Sequence, residues 1–440
     1  METKNSLFIN LVIRLGSFHL GSAFADIFVS SIWNRVMISE LGVAAWPVSL
    51  LLGMRYLLSP LSVWAGYKSD RLRFKNPRSR TTFIWTGRFL MVCSFPFIGL
   101  SVSLFSSSGG NLFSWLTAVW GFLLYGVGNL ISGSTFLALV RESVSQEKRG
   151  KAITIVQGML IGFFPVAGIA FGLWMEEFTV YVFWQIVIFT VIIGAISWFF
   201  SILGVEKIKT ARRLQSISPS KSLFSLFKEV FKDPRTRSFF FFLSLSLFSA
   251  WLQEAILEPL GGEIFNMSVG TTTRLGAIWQ GMTLIALLLC GVLFRQSKTE
   301  QYITISRIGL ILMSLGAAFI CISMVVSVSN NSTLFILSLI IFGVGFGIYT
   351  YGGYNLLSAM TSTVNAALYL AVWATASLVF RGLGISSGGI IRDVVLKFTN
   401  EPITSYSAVF ITACLGLFFS TLIINRNKVT SFVLEDMKRV

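Results

Sequence analysis

A small number of charged side chains lie inside long apolar stretches of this sequence, and they are its first candidates for chemistry. Glu254 and Glu258 are four residues apart, so one helix would place both carboxylates on the same face. Asp26 and Arg381 also lie within apolar runs. A charge inside a membrane is unfavourable unless it meets a partner or a cavity. The three acids are therefore predicted to take up protons or to pair with Arg381, for which a buried structural ion pair is the alternative.

His19 is the single histidine of the chain and falls in its first apolar run. Its imidazole allows two interpretations: a hydrogen bond between helices, or an axial ligand for the magnesium of a tetrapyrrole in an apolar cavity. The sequence leaves both open. Further polar residues at membrane depth complete the binding candidates, namely Arg55, Gln157, Gln253, Gln280 and Asn355.

The familiar catalytic signatures are missing from the sequence. It contains no GxxxxGK[ST] phosphate loop and no CxxC pair, so neither an ATP-driven pump nor a metal-dependent or histidine-dependent hydrolase is indicated. The cysteines lie inside apolar runs without the spacing of metal ligands. The series Gly343, Gly345 and Gly347 is interpreted as a surface for close helix packing rather than as a nucleotide fingerprint. A non-enzymatic protein is expected.

Composition places the chain in a membrane. Its 440 residues have a mean hydropathy of +0.76 and only 12% charged residues, whereas soluble domains have about 25%. Apolar runs of about 20 residues can cross a hydrocarbon core of about 30 Å as helices. Twelve such runs predict an all-α integral membrane fold. The predicted spans are 11–33, 43–66, 82–104, 113–140, 152–174, 180–204, 237–259, 272–295, 301–328, 332–360, 364–392 and 403–426.

The charge distribution divides the chain into two six-helix halves. Residues 1–204 and 237–440 contain six predicted spans each, and residues 205–236 form a basic linker. Basic residues concentrate in this linker and after spans 2 and 4, so the positive-inside rule predicts that both termini and the linker are cytoplasmic. The net charge of +16 is attributed to this topology and to attraction for anionic lipids, not to nucleic-acid binding.

Two features resemble the major facilitator superfamily and imply its fold. The motifs YGVGNL at 125–130 and FGVGFG at 342–347 lie about 217 residues apart in corresponding spans, which suggests two parallel halves. The loop GYKSDRLRFKNPRSR after span 2 is similar to the signature of that superfamily. We interpret Gly66, Asp70 and Arg71 as a conformational latch at the cytoplasmic face, with a solvated positive loop as the alternative.

The polar stretch LEPLGGEIFNMSVGTTTRL connects spans 7 and 8. Gly261 and Gly262 are predicted to form a tight turn, and the threonine run to cap span 8. Glu258 or Glu263 is predicted to pair with Arg274 and so to fix the two spans. A rigid connector is one interpretation of this stretch, and a docking surface is the other.

This connector strongly resembles the bacteriochlorophyll-delivery branch of the major facilitators, the PucC and LhaA type of light-harvesting assembly proteins. Three further stretches are similar to the same family: WNRVMISELGVAAW at 33–46, FIWTGRFLMV at 83–92 and LYLAVWATASLVFRGLGISSGGIIRD at 368–393. The matches lie in both halves of the chain. The resemblance implies a protein of photosynthetic membranes that hands chlorophyll or bacteriochlorophyll to antenna or photosystem proteins.

The residues alone, and not the resemblance, supply the candidate ligands for a pigment or another substrate. These are His19, Asp26, Gln253, Glu254, Glu258, Asn355 and Arg381. Two other functions stay open. The buried carboxylates and the facilitator architecture also suit a proton-coupled secondary transporter of a small lipophilic solute. The third possibility is a pigment-free assembly scaffold that retains the fold and binds only proteins.

Overall fold

The computed structural model of the chain describes residues 2–72, 78–206, 234–295, 299–326, 332–360 and 366–425. Eleven of its helical segments are long and apolar enough to cross a membrane. With the broken seventh span they give the twelve membrane segments of an all-α integral membrane protein. In chain order the α-helices are α1 Glu2–Ile27, α2 Ala45–Leu57, α3 Pro60–Leu72, α4 Ser79–Ser108, α5 Leu112–Ser143, α6 Arg149–Trp174, α7 Val180–Phe200, α8 Pro234–Trp251, α9 Leu257–Glu263, α10 Val269–Leu293, α11 Thr299–Val326, α12 Thr333–Met360, α13 Ala366–Thr399 and α14 Pro402–Ile424.

Span 7, predicted as one helix over 237–259, is broken in the structure. Residues 252–256 connect α8 to α9 through tight turns, in one of which the amide of Glu254 donates to the carbonyl of Trp251 at 3.3 Å. Non-helical backbone at membrane depth persists only where protein or a cavity surrounds it. The predicted shared helical face of Glu254 and Glu258 is therefore wrong, because Glu254 lies in the break and Glu258 lies in α9.

The first two spans also depart from regular α-helices. Span 1 continues past α1 through two π-helical segments, Phe28–Trp33 and Val36–Glu40. Span 2 is interrupted between α2 and α3, immediately before Pro60. Proline lacks an amide hydrogen and its ring clashes with the preceding turn, so a helix that meets one bends or restarts. Both spans thereby present side chains that a straight helix would place differently.

The chain divides into two compact units. Unit 1 comprises Met1–Val43, Met54–Ser216 and Ser268–Ala277, and unit 2 comprises Ala44–Gly53, Ile217–Met267 and Ile278–Val440. Each unit thus includes one short segment that lies apart from it in the sequence. The predicted linker 205–236 lies largely outside the described residues, so its structure stays a prediction.

Several glycines allow close helix contacts within each unit. In unit 1 a Cβ on Gly87 of α4 would collide with the carbonyl oxygen of Gly128 of α5. In unit 2 the same holds for Gly343 of α12 against α10, for Gly345 against α11 and for Gly347 against α10. Small residues allow such close contacts between membrane helices. The packing role predicted for the three α12 glycines is confirmed.

Candidate functional site

An aromatic cluster in unit 1 holds the histidine. His19 of α1 is 7% exposed, and its ring meets the ring of Phe136 of α5 edge-on, with centroids 5.2 Å apart. Phe18 stacks on Phe136 at a centroid distance of 3.9 Å. Neither ring nitrogen of His19 forms a hydrogen bond within the described part of the chain. These residues therefore do not show the hydrogen-bonded interpretation of His19, and its unprotonated ring nitrogen has no described partner.

Arg88 of α4 borders the same cluster and was missed among the sequence candidates. Its guanidinium carbon lies 4.6 Å from the ring centroid of Phe18 and 4.8 Å from that of Trp198, so the cation contacts two aromatic faces. The side chain is 3% exposed. The rule that identified the other polar residues at membrane depth applies equally to Arg88, which lies inside predicted span 3, 82–104.

Asp26 forms an ion pair within unit 1. Its carboxylate pairs with the buried guanidinium of Arg55 and accepts a hydrogen bond from the hydroxyl of Tyr125 at 3.4 Å. The guanidinium carbon of Arg55 also lies 4.7 Å from the ring centroid of Tyr56. Two candidates from the sequence, Asp26 and Arg55, are thus brought together, and their opposite charges compensate each other away from water.

Glu254 pairs with Arg381 in unit 2, as predicted. The carboxylate accepts a hydrogen bond from Nη2 of Arg381 at 3.1 Å. The guanidinium carbon lies 3.5 Å from the ring centroid of Trp251, which in turn contacts Trp279 and Phe346 edge-on. One acid, one arginine and three aromatic rings therefore form a cluster beside the break between α8 and α9, and the acid lies in the break itself.

The remaining amide candidates have different environments. Gln253, in the same break, is 2% exposed, and neither atom of its amide has a hydrogen-bond partner among the residues described. Asn355 donates to the carbonyl of Tyr351 in its own helix at 2.8 Å, so it is occupied locally. Gln157 and Gln280 are half-buried. Of this group only Gln253 presents a buried amide with hydrogen-bonding capacity to spare.

The connector between spans 7 and 8 differs from its prediction in three respects. Gly261 and Gly262 lie within the short helix α9 and not in a tight turn. Arg274 pairs with Glu176 at 3.0 Å, and not with Glu258 or Glu263. At the start of α10 the amide of Thr271 donates to the hydroxyl of Ser268 at 3.2 Å, so the cap is a serine outside the threonine run. Glu258 is buried in α9.

Glu263 belongs instead to a network that joins three of the family-like stretches. Its carboxylate accepts a hydrogen bond from Arg392 of α13 at 2.6 Å, and Arg392 donates to Asp393 at 2.8 Å. Asp393 accepts in turn from the backbone amide of Trp46, at the start of α2, at 2.7 Å. The stretches that end at Trp46 and Asp393 thus meet the connector at one point. No spacing within a single stretch predicts such a contact.

The predicted latch falls mainly on side chains outside the described part of the structure. Gly66 lies in α3, but the side chains of Asp70 and Arg71 are among those not described, so the latch stays a prediction. An ion pair that the sequence analysis did not identify lies nearby in the chain. Arg80, at the start of α4, pairs with Glu142 at the end of α5 at 2.7 Å.

The fold defines the general class of the protein. A solved structure of a POT family transporter, in complex with a thioalcohol-conjugated peptide, matches with a TM-score of 0.69 and 14% sequence identity, over 94% of this chain and 95% of that one. The chain therefore shares the fold of this solved structure, in agreement with the major facilitator fold predicted from the sequence. At this sequence identity the structural similarity shows the fold and does not show a shared function.

Sequence relatives narrow this class to one family. The family described as PUCC protein matches residues 32–432, and the chain belongs to it. Protein PucC of Rhodovulum sulfidophilum is 24% identical over 400 residues, which cover 88% of this chain and 86% of the relative. The Bacteriochlorophyll synthase 44.5 kDa chain of Rhodobacter capsulatus is 27% identical over 286 residues, covering 64% of this chain and 65% of that protein.

Proposed function

We propose that the protein is a non-enzymatic assembly factor that binds chlorophyll or bacteriochlorophyll and delivers it to antenna or photosystem proteins. Membership of the PUCC protein family supports the light-harvesting role that the sequence resemblance implies. The observation that carries the pigment part is the buried imidazole of His19, whose two nitrogens have no hydrogen-bond partner among the described residues. The protein would act in a photosynthetic membrane, thylakoid or intracytoplasmic, with both termini cytoplasmic by the positive-inside rule.

The residues of the His19 cluster fit a magnesium tetrapyrrole chemically. The unprotonated nitrogen of a neutral imidazole is a good metal ligand, and neither nitrogen of His19 forms a hydrogen bond to a described residue. The rings beside His19, Phe18 and Phe136, are aromatic and apolar, and they would have to separate to admit a macrocycle because they are buried and stack on each other. His19 would hold the metal and the two phenylalanines would orient the ring. The bound pigment itself supplies the light-absorbing chemistry.

A pigment carrier of this kind needs no aqueous pore. The hydrocarbon chain of a chlorophyll belongs in lipid, so the protein can accept its ligand laterally and pass it to a neighbouring antenna helix. Anionic lipids would bind at the basic cytoplasmic loops, where each lysine or arginine contributes about 1 kcal/mol of attraction.

The first test is the absorption spectrum of the protein purified in mild detergent from its own photosynthetic membrane. We expect chlorophyll-type pigment in stoichiometric amount, and its loss in a His19→Ala variant. Leu15→Ala is the matched control, because Leu15 is fully buried one turn earlier in α1 and carries no nitrogen. Pigment retained by both variants would reject His19 as the ligand. A colourless wild-type protein that crosslinks to antenna subunits would favour the pigment-free scaffold.

Proton-coupled transport of a lipophilic solute is the second candidate function. The ion pair between Glu254 and Arg381 favours it, because protonation of the carboxylate would weaken the pair and so link a proton to the surrounding break in span 7. The test is solute-dependent proton influx into proteoliposomes, followed with an internal pH dye. Glu254→Gln should abolish this influx, whereas the exposed Glu401→Gln should not. Absence of influx in the wild type would reject transport.

A further inference from the structure

An open groove of about 460 Å³ runs along unit 2 between α8 and α14. It is lined by residues from the first turns of α8 and the last turns of α14, namely Ser238, Phe241, Leu245, Phe419, Leu422 and Ile423. Phe241, Phe419 and Leu422 are exposed, and in a membrane protein exposed apolar side chains face lipid. The hydroxyl of Ser238 donates to the carbonyl of Pro234 in its own helix at 3.0 Å. The groove is therefore an apolar surface that lipid chains can reach.

A close helix contact closes the deep end of this groove. A Cβ on Gly416 of α14 would collide with the hydroxyl of Ser249, so α8 and α14 lie close together there. Ser238 and Ile423 lie about 17 Å and about 10 Å from this contact along their helices. The positive-inside rule places the start of α8 and the end of α14 at the cytoplasmic face. The groove thus extends from the Gly416 contact towards the predicted cytoplasmic headgroups.

Arg237 places a positive charge at the headgroup end of the groove. It directly precedes Ser238 and lies one turn before Phe241, so Arg237 and Phe241 share a face of α8. Its side chain is exposed, and no acid of the described residues pairs with it. A long cationic side chain at a helix end reaches the headgroups while its stem stays in lipid. The groove is thus apolar along its length and cationic at one end.

We propose that this groove binds an anionic phospholipid, with an acyl chain against Phe241, Phe419 and Leu422 and the phosphate on Arg237. An arginine fork matches the oxygens of a phosphate. A zwitterionic lipid fits less well, because its ammonium brings a second cation close to Arg237. A transmembrane helix about 10 Å wide would fill about 800 Å³ between Ser238 and Leu245, more than the groove holds. This inference does not depend on pigment binding.

The experiment places the full-length protein in nanodiscs with a trace of phosphatidylglycerol that carries a photoactivatable diazirine on one acyl chain. The host lipid is either phosphatidylcholine or phosphatidylglycerol with the same chains, and peptide mass spectrometry locates the label after irradiation. Labelling of the groove, divided by labelling elsewhere on the chain, should be about 5-fold lower in the phosphatidylglycerol host, because this lipid competes for Arg237.

Two variants test the role of the arginine. Arg237→Gln should remove the difference between the two hosts. Arg295→Gln is the control of equal charge change and should retain it, because Arg295 is also exposed but does not line the groove. Should Arg237→Gln not fold, the comparison of the two hosts with the wild type decides alone.

The contrary outcomes are distinct. Equal groove labelling in the two hosts, or an unchanged difference in Arg237→Gln, would overturn the anionic lipid. Loss of the difference in Arg295→Gln as well would show a general effect of net charge and overturn the role of Arg237. Absence of label from the groove would overturn a lipid occupant. If the unlabelled protein were also a dimer that Leu422→Trp dissociates, the groove would be an interface between two copies of the chain.

Discussion

Replacement of Arg392 by methionine should destabilise the protein far more than the same replacement of Arg274. Arg392 donates to Glu263 at 2.6 Å and to Asp393 at 2.8 Å, and its own side chain is 9% exposed. Hydrogen bonds to charged groups contribute about 1.5–3 kcal/mol each. The two acids retain 21% and 16% exposure, so water compensates part of the loss. We expect about 3 kcal/mol, at the lower end of the range for breaking a buried pair.

Thermal unfolding in detergent measures this difference. For a unit of about 200 residues, about 3 kcal/mol corresponds to a fall in apparent Tm of about 6–12 °C. The side chains of Arg274 and Glu176 are 33% and 55% exposed. Surface ion pairs of this kind contribute about 0–1 kcal/mol to the free energy of unfolding. Arg274→Met should therefore lower Tm by no more than about 4 °C. Both variants remove one paired arginine from a family-like stretch, and they differ mainly in the burial of the pair.

A double variant separates lost attraction from uncompensated charge. When Glu263→Met accompanies Arg392→Met, the bare acid disappears and an apolar contact replaces the pair, so part of the lost Tm should return. Equal Tm losses for Arg392→Met and Arg274→Met would refute the assignment of the Glu263, Arg392 and Asp393 network as a buried stabilising contact. Further destabilisation in the double variant would refute the account of its energetics.

Two further predictions concern packing and polar burial. Gly128→Ala should sharply reduce the yield of folded protein, because the added Cβ would collide with the carbonyl oxygen of Gly87. Gly162→Ala is the control: its Cβ meets open space, so the free energy of unfolding should rise by about 0.5–1 kcal/mol. Equal yields of the two variants would contradict the close contact of α4 and α5. Gln253→Leu should leave Tm unchanged or raise it, since no hydrogen bond to a described residue is lost; a marked fall in Tm would show that the amide is satisfied.

Hydropathy alone predicted where the membrane segments lie, because a long apolar run has few alternatives in a bilayer. It did not predict the interruption of span 7, since residues 252–256 contain neither glycine nor proline. The break coincides with the cluster of Trp251, Glu254 and Arg381, and Arg381 lies 127 residues from Glu254 in the sequence. By contrast, Pro60 gave a visible signal for the interruption of span 2.

The pairing of charges was predictable only in part for the same reason. One sequence indicates which charges lie at membrane depth, and it correctly suggested Glu254 with Arg381. It assigned Arg274 to acids nearby in the chain, although the partner is Glu176 on a separate helix. Spacing rules describe neighbours along one helix. Partners on different helices are determined by tertiary packing, which no local pattern specifies.

The π-helical segments of span 1 indicate how this helix tolerates changes in length. A π-turn closes with one residue more than an α-turn, so Phe28–Trp33 and Val36–Glu40 accommodate extra residues within a continuous helix. Deleting one residue from a regular α-helix would rotate everything beyond it by about 100°. Here the conversion of a π-turn into an α-turn can absorb a deletion, so that the residues before Phe28 and those directly after Glu40 keep their orientation. Relatives that differ by a single insertion or deletion in span 1 are expected to carry it between residues 28 and 40.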